Sequence, residues 1–233
     1  MQVLDRGLAA ALRCLDGCAI ANAIETFDVR MRNEGFTDGR LRCMFDRQPA
    51  VIGHVVTVRI RSSAPPPVGH TYNDRTDWWT YICSIPGPRI VVAQDIDDVV
   101  GRGAFMGETQ ANILRTLGCV ALVTNGAVRD LDGVGRTGVQ LFAGSVAVSH
   151  AYVHIVDFGG PVEVAGLAVS PGDILFGDRH GIQTIPPDIA ADIPRVAAEM
   201  QAREQRVIEF CRSPEFSIDG LRSIVNTPKV HRT

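Results

Sequence analysis

GETQANILRTLGCVALVTNGAVRDLDGV, residues 107–134, is the stretch from which the rest of the chain is read. Glu108 to Leu117 has the composition of a helix, and Gly118 stops it by accepting the left-handed backbone of a helix end. Cys119 to Thr124 is an uninterrupted apolar run of strand length, followed by the turn dipeptide Asn125-Gly126. Upstream, Ile90-Val91-Val92-Ala93 is a second short buried strand ending at Gln94-Asp95. Gly101, Gly103 and Gly107 punctuate the loop between strand and helix. Strand, glycine-rich loop, helix and strand within about thirty-five residues describe a βαβ unit.

Outward from this unit the periodicity changes several times. Leu8, Leu12 and Leu15, then Ile20, Ile24 and Phe27, recur at helical spacing on either side of Gly17, with Asp5 as the first N-cap. From Val51 to Arg61, Val56, Val58 and Ile60 alternate with Thr57, Arg59 and Arg61, which predicts a half-exposed strand with a solvated basic face. Ala64-Pro65-Pro66-Pro67 ends it. The segment HTYNDRTDWWTYI (70–82) is too aromatic for a free linker, because Trp78 and Trp79 seek burial. Residues 64–82 therefore read as a lid, an interface insertion or a packed surface loop. Further strands are expected at Val139 to Ala143, Val146 to Val148, Val153 to Val156 and Val162 to Val169. A turn at Pro171-Gly172-Asp173 precedes a strand pair, Ile174 to Phe176 and Ile182 to Ile185, around Asp178-Arg179-His180-Gly181. A last helix follows Pro186-Pro187, with Ile189, Ile193 and Val196 on one face and a kink or restart at Pro194. No repeat, low-complexity tract or linker interrupts residues 1–233, which read as a single α/β domain.

Composition narrows the function classes. An apolar fraction of 45 % with 21 % charged residues is that of an ordinary globular protein. The net charge of −3 is spread along the chain, and the basic block of a nucleic-acid binder is missing. Six cysteines are scattered with no CxxC pair, the N-terminus does not read as a signal peptide, and no apolar run reaches membrane-spanning length. Free thiols in a reducing cytoplasm, with neither nucleic acid nor membrane as partner, are the expectation.

Two features could carry chemistry. A helix that starts after GRGAFMG (101–107) presents unpaired backbone N–H groups suited to a carboxylate or phosphate, although its glycines match neither the dinucleotide fingerprint nor the phosphate loop. Arg129-Asp130 follows a strand end, where α/β proteins gather ligands. There an Arg can clamp a carboxylate and an Asp can ligate a hard divalent cation. By spacing alone the pair fits a surface ion pair as well. His150 and His154 would share a strand face, which is not the spacing of a zinc helix, and GxSxG is absent.

The segment 107–134 resembles the core signature of the RraA-like family, which includes the 4-hydroxy-4-methyl-2-oxoglutarate aldolases. Those aldolases carry an acid, twenty intervening positions, then Arg-Asp; here twenty residues separate Glu108 from Arg129. CAIANAIETFD (18–28) is similar to the family's early helix, VIGHVVTVRI (51–60) to its first strand, and VAGLAVSPGDILFGDRHGIQTIP (164–186) to its C-terminal β region. The resemblance spans about Leu12 to Glu204.

It implies a three-layer ββα fold of the swivelling, phosphohistidine-domain type, assembled as homotrimers or hexamers with active sites between subunits. Asp130 would hold Mg²⁺ or Mn²⁺, largely with water. Arg129 would contact the substrate's keto or carboxylate oxygen. Backbone amides around Gly107, Glu108, Thr109 and Gln110 would cradle a carboxylate, and Glu108 would tune the proton step or order its water. The implied activity is a divalent-metal class II aldolase that cleaves a 4-hydroxy-2-oxo acid to pyruvate, with oxaloacetate decarboxylation alongside. Two departures stand out. The family's upstream acid is typically Asp, here Glu108, and many relatives have Asp-Gly where this chain has Asn125-Gly126. The rival implication is a non-catalytic regulator, since the family takes its name from an inhibitor of ribonuclease E that works by protein–protein contact. Retention of Asp130 favours the enzyme. A methyltransferase reading has no glycine-rich nucleoside motif to support it. Glu204 is a candidate for an acid reaching a neighbouring site, which an exposed helix face explains equally well.

Overall fold

The computed structural model describes residues 4–68 and 75–226. Its first two elements are α1 (Arg6–Arg13) and α2 (Gly17–Glu25). Asp5 caps α1 by accepting from the amides of Gly7 (2.9 Å) and Leu8 (3.0 Å), and Asp16 caps α2 through Ala19 (2.7 Å). Leu12, Ile20 and Ile24 are fully buried or nearly so, as their spacing predicts.

The strands and helices then follow as β1 (Arg42–Cys43), β2 (Val51–Arg61), α3 (Thr76–Ser84), β3 (Arg89–Asp95), β4 (Ala104–Met106), α4 (Glu108–Thr116), β5 (Cys119–Val128), α5 (Leu131–Thr137) and β6 (Gln140–Val146). After them come β7 (His154–Phe158), β8 (Val162–Val164), β9 (Leu167–Val169), β10 (Ile174–Asp178), β11 (Gly181–Thr184), α6 (Ile193–Arg212) and α7 (Ile218–Val225). Among the described residues one large sheet runs β1-β6-β5-β3-β2-β10-β11, with β4 beside β5 and β7 beside β2. The centre of the sheet, β2-β3-β5-β6, is parallel, so the βαβ unit read from residues 90–124 is present.

Side-chain alternation sorts the core into three layers. Val56, Val58, Val91, Ala93 and Leu122 face α3, α4 and α5, where Trp78, Ile82, Ala111, Leu114 and Val134 meet them. Val55, Ile90, Val92, Ala121 and Val123 face the other way, onto the β8–β9 hairpin through Val162, Val164, Leu167 and Val169. Hairpin, sheet and helices are the ββα layers that the family resemblance implies. At the β10–β11 side, α1, α2 and α6 close a further cluster around Ile174 and Phe176. Each fully buried Val, Ile or Leu contributes about 1.5–3 kcal/mol relative to exposure.

This covering on both faces corrects the expectation of a half-exposed β2. Ile52 to Val58 are all buried, Thr57 included, and only Arg59 and Arg61 reach solvent near its end. Arg59 there pairs with Asp157 of β7. A parallel sheet sandwiched between layers reads as a near-continuous apolar run, and Val51–Val58 is such a run.

Asn125-Gly126 is not a turn. β5 continues through both residues to Val128, with a shift of register against β6 between Thr124 and Ala127. Backbone pairing of β3 with β5 ends at Ala93 and Thr124, and the Asn125 side chain then takes over. Its Oδ1 accepts from the Asp95 amide (2.7 Å) and its Nδ2 donates to the Asp95 carbonyl (2.9 Å), so one amide side chain supplies the next rung of the ladder. Asn125→Ala leaves both backbone groups of a buried strand end unpaired. It should cost about 2 kcal/mol, read from the urea midpoint, whereas Asn125→Gln should recover little because its amide sits one methylene too far out. An unchanged midpoint for the alanine variant contradicts this reading of the bulge.

Other boundaries differ for local reasons. No separate strand forms at Val146 to Val148, because β6 ends at Val146. Val162 to Val169 is a hairpin rather than one strand, reversing at Ala165 and Gly166, whose φ values are +47° and +79°. His150 lies in the exposed loop before β7 and so does not share a strand face with His154, which is buried with its Nδ1 2.8 Å from the Tyr152 carbonyl. Helix α5 was hidden by its two glycines, Gly133 and Gly135. At Gly133 a Cβ would come within 2.4 Å of Glu108 Oε2. The C-terminal helix restarts as expected, with a 3-10 turn at Pro187–Ile189 and Pro194 in the first turn of α6. The 64–82 segment falls partly on residues 69–74, outside the described residues. Thr76–Ser84 of it is helical, and Trp78 is fully buried.

Candidate functional site

Arg129 and Asp130 stand directly at the carboxyl end of β5, between the last strand residue and α5. The Arg129 amide donates to the Met106 carbonyl (2.8 Å), which ties this point to the end of β4 and thus to the start of α4. Asp130 adopts φ +53°, ψ +41°, a left-handed conformation that turns the chain out of the sheet, and its carbonyl accepts the Val134 amide (2.9 Å) as α5 begins. Such a conformation costs a non-glycine residue roughly 1 kcal/mol, and Asp and Asn bear it best.

Asp130 Oδ2 lies 3.5 Å from Arg129 Nε and accepts from the Glu108 amide at 3.3 Å. Both side chains are part-exposed, 32 % for Arg129 and 44 % for Asp130, so the pair is open to a ligand. Gly107 makes this approach possible, since a Cβ there would sit 2.6 Å from Asp130 Oδ2 and 3.3 Å from Arg129 Nε. The first-turn amides of α4, at Thr109 and Gln110, have no carbonyl one turn earlier in the helix to bond. A carboxylate, a guanidinium and a helix start therefore converge at one end of the sheet.

The remaining predicted residues are placed differently. The Glu108 carboxylate turns towards α5, 3.4 Å from Arg136 Nη2 and packed over Gly133. Its backbone, not its side chain, meets Asp130. Thr109 is exposed. The Gln110 side chain turns inward, with Nε2 3.5 Å from the Phe105 carbonyl and a buried Oε1 that no described residue bonds. Arg136 was not singled out from sequence; an Arg twenty-eight residues beyond Glu108 has no local pattern to flag it.

Sequence reasoning also missed the acid network that braces the loop into β4. Asp95, at the end of β3, accepts from the Gly101 (2.8 Å) and Asp97 (3.0 Å) amides, and burial pushes its carboxyl above the usual range against those bonds. Asp97 is buried too, which would raise its pKa. Bonds from the amides and hydroxyls of Ser62 and Ser63 outweigh burial and hold it below the usual range. The signal was a pair of acids two apart after a buried strand, opposite Ser62-Ser63 at the end of another.

Among the described residues no group of three or more His, Cys, Asp or Glu side chains converges to hold a metal ion. Nor is there a reactive thiol at this sheet: burial pushes Cys119 up to about 12, and all six cysteines are free. No single helix among the described residues is long and apolar enough to cross a membrane.

A mixed sheet layered between hairpin and helices, with its polar constellation at the carboxyl end of β5, defines the class. A family model described as RraA-like, Aldolase/RraA, matches residues 17–183, and the chain belongs to that family, which includes aldolase-type enzymes and ribonuclease E inhibitors. A protein of Halalkalibacterium halodurans, provisionally named a 4-hydroxy-4-methyl-2-oxoglutarate aldolase, is 25 % identical over 103 residues, covering 44 % of this chain and 49 % of that one. Two solved structures share the fold. An uncharacterised protein of Pseudomonas syringae pv. tomato has a TM-score of 0.72 at 18 % identity, covering 95 % of each chain. RraAS2 of Streptomyces coelicolor, described as an unusual member of the RNase ES inhibitor RraA protein family, has 0.67 at 18 %, covering 88 % of this chain and 97 % of that one.

Proposed function

We propose that the protein is a divalent-metal-dependent carbon–carbon lyase that releases pyruvate from a 4-hydroxy-2-oxo acid, with oxaloacetate decarboxylation as a second outcome of the same site. The observation that carries this reading is the Asp130 carboxylate, held part-exposed beside Arg129 and the Gly107–Glu108 backbone.

The donor set fits Mg²⁺ or Mn²⁺ bound through Asp130, because such ions keep several waters and need only one or two carboxylates. The metal would supply Lewis acidity for the charge that develops on the 2-oxo oxygen. Arg129 adds a fixed positive charge and hydrogen-bond donors for that oxygen or the adjacent carboxylate. The amides of Thr109 and Gln110 bind a carboxylate at the helix start. Aldol cleavage also requires a base for the C4 hydroxyl. Glu108, paired here with Arg136, would take that proton through one ordered water rather than by direct contact, the water giving its own proton to the Glu108 carboxylate.

Val99, Val100, Val146, Val148 and Tyr152 are exposed apolar residues on loops and strand ends at this same end of the sheet. They support assembly into trimers or hexamers with each site near a subunit boundary. The free cysteines suit a cytoplasmic location.

The rival reading, a regulator that acts by protein contact, draws support from the lack of a cluster of three or more metal-ligating side chains among the described residues and from the likeness to RraAS2. A coupled pyruvate assay over a panel of 2-oxo acids separates the two. We expect turnover of oxaloacetate or a 4-hydroxy-2-oxo acid with Mg²⁺ or Mn²⁺ present; turnover of no member of the panel would sink the enzyme reading.

A further inference from the structure

A hollow of about 900 Å³ lies away from Arg129 and Asp130. It lies at the amino ends of the strands, lined by Val51 and Ile52 where β2 begins, Pro88 just before β3, and Val120 at the start of β5. Val120 and Asp130 are separated by almost the whole length of β5, roughly 30 Å at about 3.3 Å per residue. The hollow is therefore a separate site, and its size falls within the usual range of small-molecule pockets, about 300–1,000 Å³.

Its lining is chemically two-sided. Leu4, Ala9, Val51, Ile52 and Val120 give an apolar floor. Arg6 and Arg13 from α1 and Arg115 from the last turn of α4 bring three guanidinium groups to the same hollow. None of the three has an ion pair or side-chain hydrogen bond among the described residues. The one acid in the lining, Asp5, is already committed to the α1 amides. Three arginines against one carboxylate leave the lining with a surplus of positive charge, in a chain whose net charge is −3, and this half-apolar hollow is arranged for an anion. Guanidinium groups match phosphate oxygens in bidentate fashion and also stack on planar rings.

We propose that this hollow is a second ligand site, for an organic polyanion of nucleotide type: an apolar, planar body on the floor and a multiply charged phosphate head among Arg6, Arg13 and Arg115. It stands independently of the lyase reading, since it shares no residue with the Arg129 site.

The test is isothermal titration calorimetry of the full-length protein with ADP, with pyrophosphate and with adenosine, in buffer free of divalent metal. ADP should bind, pyrophosphate at least tenfold more weakly, and adenosine not measurably. Arg13→Gln/Arg115→Gln should weaken ADP at least tenfold, with an unchanged circular dichroism spectrum; Arg115→Gln alone serves if the double variant fails to fold. Asp130→Asn should bind ADP as the parent does. The proposal is overturned by absent ADP binding at millimolar concentration, by equal ADP affinity in the arginine variant, or by pyrophosphate binding as tightly as ADP.

Discussion

Asp130→Ala should lower metal-dependent pyruvate formation by roughly a thousandfold or more, the scale expected when a metal's only protein ligand and a fixed charge of the site are removed together. This expectation comes from position. The Asp130 carboxylate stands part-exposed at the end of β5 beside the start of α4, and its Oδ2 is fixed by the Glu108 amide and by Arg129 Nε. A smaller, separate effect comes from the backbone, because alanine is a poor residue at φ +53° and would cost about 1 kcal/mol of stability. Asp130→Asn removes that ambiguity. Asparagine tolerates the left-handed region and still accepts the Glu108 amide, yet carries no charge for a cation. Its melting temperature should match the parent while its activity falls by about two orders of magnitude or more. Activity retained in the asparagine variant refutes the metal assignment to Asp130.

Trp78→Ala should destabilise the fold by about 3–5 kcal/mol, the range for truncating a large buried aromatic. Trp78 is fully buried from α3, with its ring centroid 6.0 Å from that of Phe105 in β4 at 57°. Phe105 immediately precedes Met106, whose carbonyl holds Arg129 in place. The loss should therefore be felt at the site as well as in the melt. Trp78→Phe keeps the aromatic contact and should cost less than half as much. A urea midpoint for Trp78→Ala within error of the parent would mean that α3 does not belong to the core.

How far these features are legible in the sequence depends on how local their causes are. Helices α1 and α2, strand β3, helix α4 and the β10–β11 pair show in short-range periodicity and capping residues, and their bounds follow closely. β2 was misjudged as half-exposed because alternation at Val56–Arg61 suggests one covered face, while the second cover comes from a hairpin a hundred residues later. Asn125-Gly126 has turn composition, yet the need to pair the buried Asp95 backbone keeps it in the strand. Arg129 and Asp130, candidates from the sequence, stand beside the α4 start. That Gly107 must lack a side chain for Asp130 to approach, and that Glu108 turns to Arg136, depend on contacts across α4 and α5 that no local pattern encodes. The arginine-lined hollow was equally invisible, since residues 6, 13 and 115 meet only in three dimensions.

The most direct test of a metal-dependent lyase at the end of β5 is pyruvate release followed in one preparation through chelation and metal restoration. Activity on oxaloacetate or a 4-hydroxy-2-oxo acid should vanish with chelator and return in full with Mg²⁺ or Mn²⁺, and Asp130→Asn should show neither phase. Pyruvate release that persists through chelation, or that Asp130→Asn recovers to the parent level on adding metal, would contradict the account.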